Sequence, residues 1–171
     1  RTLNRAPLIA PDGRMGFQDK RVMTRFETES WQVSPGADPG VFDTPWGRIG
    51  VAICYDVEFP ENVRLLALSG ADLVLVPTAL MAPYDFIPRS LVSTRAYENQ
   101  LFLVYANRCG QEREFDYLGS SCIVGPDGRD LARAGTGEEL ILADLDRDLL
   151  AASRRLNTYL ADRRPEAYGG L

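Results

Sequence analysis

The alternation of apolar and polar positions divides the chain into strands and helices in a regular order. Residues 41–44 and 48–54 flank Pro45-Trp46-Gly47, which predicts a hairpin, and the second run is apolar nearly throughout, as in a buried central strand. That strand is expected to end at Cys54. Pro60 supplies a favoured first helical residue, Val63, Leu65, Leu66 and Leu68 give an apolar helical run, and Gly70 is a natural stop. A buried strand over 73–76 follows. Strand, helix and strand of these lengths predict a right-handed crossover joining two parallel strands. A second such unit has its helix over 88–100 and its strand over 101–106. Strands near 120–124 and 140–144 and a helix from Arg147 complete an α/β architecture with mixed sheets.

Two phrases read as hairpin turns, Pro11-Asp12-Gly13 and Gly125-Pro126-Asp127-Gly128, because proline presets the turn and glycine supplies a positive φ. Residues 20–40 are polar and rich in proline and glycine, and a loop is expected there. No linker interrupts the pattern, so residues 1–171 read as one domain.

Composition narrows the partners. The chain has 171 residues, 45% of them hydrophobic, and a net charge of −5. Its basic residues form nothing longer than Arg-Arg pairs, which argues against nucleic acid or an anionic membrane and favours a small-molecule partner. No apolar stretch approaches the roughly 20 residues that span a bilayer, and no secretory signal opens the chain, so the expected compartment is the cytoplasm. Cys54, Cys109 and Cys122 are too few and too widely spaced for a disulfide framework or a zinc site, and the sequence names no cofactor.

Candidate chemistry begins with an absence. Without histidine, catalysis must use carboxylates, hydroxyls, thiols or an amine. Of the 19 basic residues only Lys20 is a lysine, a compact point charge where arginine would present a broad planar fork. Cys54 sits where a buried strand gives way to the loop before a helix, the carboxyl end at which open α/β sheets place their ligands. A helix N-terminus or a nearby cation would lend it thiolate character. Cys109 and Cys122 read as structural thiols.

Gly47-Arg48-Ile49-Gly50-Val51-Ala52-Ile53-Cys54-Tyr55-Asp56, followed by Phe59-Pro60-Glu61, resembles the nucleophile segment of the carbon-nitrogen hydrolase (nitrilase) superfamily. Arg95-Ala96-Tyr97-Glu98-Asn99-Gln100 with Ala106-Asn107-Arg108, and Asp162-Arg163-Arg164-Pro165, are similar to its later signatures. Asp19-Lys20-Arg21 stands where the family places its catalytic lysine. The resemblance implies an α-β-β-α sandwich and a Glu-Lys-Cys amidohydrolase. In that reading Cys54 attacks the carbon of an amide or N-carbamoyl amide, and Lys20 with the backbone N–H of Tyr55 stabilises the oxyanion. Tyr55, Phe59, Thr78 and Ala79 line the substrate site. No metal or cofactor is implied, and the expected assembly is a homodimer or larger homo-oligomer.

The family's general base lies well before the lysine, and no glutamate precedes Lys20. The opening at Arg1, already running into a hairpin, reads as mid-domain, so an N-terminal part of the domain is expected to be missing. The family also keeps a second glutamate between lysine and cysteine. Glu29 is at the better distance from Pro35-Gly36 and Glu27 is nearer to Lys20; Glu29 is the choice, and a carboxylate there would counter desolvation of the ammonium. Asp56 is expected to anchor the loop that carries the Tyr55 amide, and Arg64, Arg95, Glu98 and Asn107 to form buried ion pairs and hydrogen bonds. A noncatalytic subunit of the same fold is the alternative, and nitrile hydrolysis ranks third because Cys54-Tyr55-Asp56 looks more like the amidase branches.

Overall fold

The structure is a computed structural model that describes residues 1–37 and 39–169. It opens with an antiparallel hairpin of β1 (Arg5–Ile9) and β2 (Met15–Asp19), closed by the Pro11-Asp12-Gly13 turn. Residues 20–40 are not all loop. Thr24 caps a short helix, α1 (Arg25–Glu29), through a capping box with Glu27, which satisfies two of the helix's free amides at once.

The main sheet has six strands: β3 (Val41–Thr44), β4 (Gly47–Val51), β5 (Leu73–Thr78), β6 (Phe102–Asn107), β9 (Cys122–Val124) and β10 (Asp130–Arg133). They lie in the order β10-β9-β6-β5-β4-β3, with β4, β5 and β6 parallel and the outer pairs antiparallel. The predicted β4–β5 and β5–β6 crossovers are therefore present. Their helices are α2 (Pro60–Leu68) and α3 (Val92–Asn99). Gly70, at φ +88°, ends the first, and Gln100 ends the second in the left-handed region. Between β6 and β9 a hairpin of β7 (Cys109–Glu112) and β8 (Phe115–Leu118) stands apart from the sheet, and α4 (Arg147–Leu156) is followed by a 3-10 turn over Pro165–Ala167.

Val74 and Val76 of β5, Leu103 and Tyr105 of β6, and Cys122 and Val124 of β9 form the core with Val63 and Leu66 of α2 and Val92 and Ala96 of α3. β5 buries alternate residues, Val74 and Val76, because successive side chains point to opposite faces. A Cβ at Gly50 would stand 3.2 Å from Leu66, so glycine there lets α2 lie close against β4.

Two expectations need correction. β4 stops at Val51, and Cys54 begins a 3-10 turn, Cys54–Glu58, so the expected nucleophile lies beyond the strand rather than at its last residue. Residues 140–144 form no strand: Leu140 and Leu142 are exposed, and no strand among the described residues pairs with them. Alternating apolar residues make a strand only where a neighbour offers a ladder.

Candidate active site

Four segments converge at the carboxyl ends of the parallel strands. β2 delivers Lys20 immediately after its last residue, and the Lys20 amide is held by the Asn4 carbonyl at 2.8 Å. The side chain is 2% exposed, and its Nζ donates to both carboxylate oxygens of Glu27 at 2.6 Å. Glu27 is in turn fixed by α1. Its Oε2 accepts from the Thr24 amide and hydroxyl, each at 2.9 Å, and its Oε1 accepts from Asn4 Nδ2 at 3.3 Å. Burial pushes the Glu27 carboxyl up, but the Lys20 and Thr24 hydrogen bonds and the lysine charge outweigh it and hold the group below its ordinary value.

Glu29 is not in this site. Two residues along a helix turn a side chain roughly 200° about the axis, and Glu29 points outward to an exposed ion pair with Arg25 at 2.7 Å. Glu27 occupies the place expected of Glu29. The sequence signal for this was present in Thr24-Arg25-Phe26-Glu27, a capping-box pattern that turns its glutamate back toward the preceding loop.

Cys54 adopts φ +51°, the left-handed region that side chains other than glycine rarely enter. Such a residue costs about 1–3 kcal/mol and persists only where its surroundings enforce it. Here the Asp56 amide donates to the Ile53 carbonyl at 3.1 Å, closing the turn. The thiol is half-buried and free. Burial pushes it above the ordinary thiol range, and the backbone amides of Ala79 and Tyr55 and the Lys20 charge work in the opposite direction. The net direction favours the protonated thiol over the thiolate.

The remaining expected site residues surround this point. Tyr55 and Phe59 stack edge to face at 5.0 Å between ring centres. Thr78 ends β5, with its hydroxyl donating to the Val76 carbonyl at 3.1 Å, and Ala79 follows with its amide toward the thiol. Asn107 holds that loop: its Oδ1 accepts from the Leu80 amide at 2.7 Å, and its Nδ2 donates to the Gly119 carbonyl at 2.8 Å. Arg95, also buried, donates to the carbonyls of Val57 and Glu58 at 3.0 and 2.7 Å and pairs with Glu98 at 3.0 Å, bracing the turn from behind. Arg64 departs from expectation, since its buried Nη1 meets no acceptor among the described residues. Glu58 brings a further carboxylate close to Lys20. Burial raises it, opposed by the charges of Lys20 and Arg95. Among the described residues no group of three or more acidic or thiol side chains could hold a metal ion.

The buried lysine is clamped by a carboxylate, its charge acts on the half-buried Cys54 thiol, and the Ala79 and Tyr55 amides reach that thiol; comparison with known proteins bears on the whole chain. The profile of the carbon-nitrogen hydrolase family covers residues 1–155. The chain belongs to that family. It is 55% identical over 124 residues to "Hydrolase in pqqF 5'region" of Pseudomonas protegens, covering 72% of this chain and 44% of that protein. It is 38% identical over 165 residues to an (R)-stereoselective amidase of a Pseudomonas species, covering 96% of this chain and 60% of that one. The chain thus spans about half the length of these relatives.

Among solved structures, an amidase of Nesterenkonia sp. AN1 superposes with a TM-score of 0.85 at 37% identity, over 96% of this chain and 61% of that one. The nitrilase-type α/β fold of this carbon-nitrogen hydrolase chain follows from that likeness. A mutant of the same amidase carries acrylamide added to its active-site cysteine.

Proposed function

We propose that the chain carries the nucleophile and oxyanion machinery of an amidase that hydrolyses a non-peptide carbon-nitrogen bond through a thioester on Cys54. The observation that carries this reading is the buried Lys20–Glu27 pair set beside the Cys54 thiol. An ammonium held this firmly is a preorganised donor for negative charge that develops on a carbonyl oxygen, and one such donor is worth roughly 3 kcal/mol in the transition state.

The Cys54 sulfur adds to the amide carbon as its proton passes to a carboxylate base, which the family resemblance places ahead of the lysine. The carbonyl oxygen becomes an oxyanion between Lys20 Nζ and the Tyr55 amide. The carbon-nitrogen bond then breaks as the base returns the proton to nitrogen, and ammonia or an amine leaves. Water, activated by the same base, adds to the thioester, and the carbon-sulfur bond breaks to give a carboxylic acid and the free thiol. Amidase names among the relatives support amides as the substrate class, and the acrylamide adduct on the Nesterenkonia amidase, formed by Michael addition, supports a nucleophilic cysteine. The substrate is a small molecule, and the further expectations are a homo-oligomer and a cytoplasmic setting. No helix among the described residues is long and apolar enough to cross a membrane.

An ammonia-release screen of the full-length protein over primary amides, N-carbamoyl compounds and nitriles tests the reading. Hydrolysis of at least one amide is expected, with Cys54→Ala reducing it at least 1,000-fold while the melting temperature stays within a few degrees of wild type. Undiminished activity in that variant removes the cysteine mechanism, and a folded wild type inert on all three classes favours the noncatalytic subunit.

A further inference from the structure

Asp56 follows the Tyr55 amide in the chain and is 1% exposed. Its carboxylate accepts from three backbone amides that belong to two separate stretches of chain. Oδ1 takes the Val22 amide at 2.7 Å and the Arg21 amide at 3.1 Å, with Oδ2 3.3 Å from the same Arg21 nitrogen. Oδ2 also takes the Ile53 amide at 2.9 Å. Arg21 and Val22 directly follow Lys20, and Ile53 directly precedes Cys54. One side chain therefore ties the segment bearing the cation to the segment bearing the nucleophile.

The chemistry of the group suits that task. A carboxylate has about four acceptor sites and no donor, whereas an asparagine amide has one acceptor oxygen and would turn N–H groups toward N–H groups. Burial raises the Asp56 carboxyl, while the Ile53, Val22 and Arg21 amides and the Lys20 charge pull against it. The Asp56 carbonyl accepts from Asn62 Nδ2 at 3.1 Å, which anchors the aspartate's own backbone to α2.

The geometry points to Asp56 as a positioning residue that sets the separation of the Lys20 ammonium from the Cys54 sulfur, so that its effect on hydrolysis runs through Lys20. This rests on the hydrolytic reading above. A misplacement of about 1 Å in such a constellation costs on the order of 100-fold in rate.

The test compares Asp56→Asn, Lys20→Ala and the double variant in the full-length protein, by amide hydrolysis and by alkylation of Cys54 with iodoacetamide. Alkylation displaces iodide from a saturated carbon and builds no oxyanion. Asp56→Asn is expected to lower kcat at least 50-fold with KM within threefold, to leave alkylation within threefold, and to cost less than threefold more once Lys20 is alanine. Losses that multiply in the double variant, or alkylation that falls in step with kcat, overturn the proposal.

Hydrogen exchange separates this outcome from failure of the hydrolytic reading. Even if the wild type cleaves no amide, the Asn variant is expected to lose protection together at residues 20–22 and 52–55; loss on one side alone overturns the link. Should that variant not fold, wild-type exchange decides: rates within tenfold of one another at the Arg21, Val22 and Ile53 amides support a shared acceptor, and a wider spread refutes it.

Discussion

Two glutamates two residues apart have opposite situations in this molecule. Glu27 is buried on Lys20, and removing one partner of a buried ion pair strands the other charge at a cost of about 3–5 kcal/mol. Glu29 is exposed on Arg25, where an ion pair four residues apart on a helix contributes about 0.3–0.5 kcal/mol. Glu27→Gln is therefore expected to lower both the denaturant midpoint and kcat, the latter at least 100-fold, while Glu29→Gln stays within twofold of wild type in kcat. The pH dependence has a definite sign. Because the folded Glu27 is held below its ordinary value of 4.5, its stabilisation is present above that pH and is lost as pH falls through the folded value. The stability gap between wild type and Glu27→Gln should narrow as urea titrations are carried from pH 6 to pH 3; a constant gap would mean that the charge of Glu27 contributes nothing.

At the scale of elements, α1 is only five residues long, far below the length at which a helix holds itself together. Its capping box and its packing maintain it. Phe26 meets Trp31 edge to face at 5.0 Å and Phe115 of β8 at 6.4 Å. Since the Thr24 hydroxyl and amide both bond the Glu27 carboxylate, the cap of this helix and the partner of Lys20 are one structure. Thr24→Ala should cost about 1 kcal/mol of stability and reduce kcat about tenfold, less than Glu27→Gln because the Lys20 contacts remain. Steady-state kinetics alongside a chemical melt would check both numbers, and unchanged kcat would uncouple the cap from the site.

On the scale of the whole molecule, α4 is bound across the sheet by Ser153, which donates toward Gln100 and the Pro126 carbonyl, and above all by Arg154. Arg154 pairs with Asp72 at 2.9 Å and donates to the carbonyls of Gln100 and Ala71 at 3.1 and 3.2 Å, gathering the starts of β5 and β6 under the helix. Arg154→Ala is expected to lower stability by about 2 kcal/mol and the melting temperature by a few degrees. Its kcat should stay within twofold of wild type, since these strand starts lie opposite the Cys54 end of the sheet. Calorimetry with parallel kinetics reads both, and a large kcat loss at unchanged Tm would contradict this division.

Much of this fold was legible because it depends on local signals. Pro60 and Gly70 bound α2, the Pro-Asp-Gly turns join β1 to β2 and β9 to β10, and the apolar runs around Val51, Val76 and Leu103 mark the parallel strands. Motif order singled out Lys20 and Cys54, whose charge and thiol the fold brings into electrostatic reach of each other. The β7–β8 hairpin was not legible, since β7 is polar beyond Cys109 and the alternation of Phe115, Asp116 and Tyr117 is too short to mark a strand. Residues 140–144 misled for the opposite reason, having the alternation without a strand beside them. By itself the sequence determined which residues are available for chemistry: one lysine, no histidine, and a cysteine after a buried strand. Tertiary structure brought Glu27, which the capping box at Thr24 marks in the sequence, rather than Glu29 onto the lysine, and it alone decided that Asp56 joins the lysine's segment to the cysteine's. Those relations depend on the rotation of a five-residue helix and on amides about 30 residues apart in the chain, and distance in space is not a property that residue order carries.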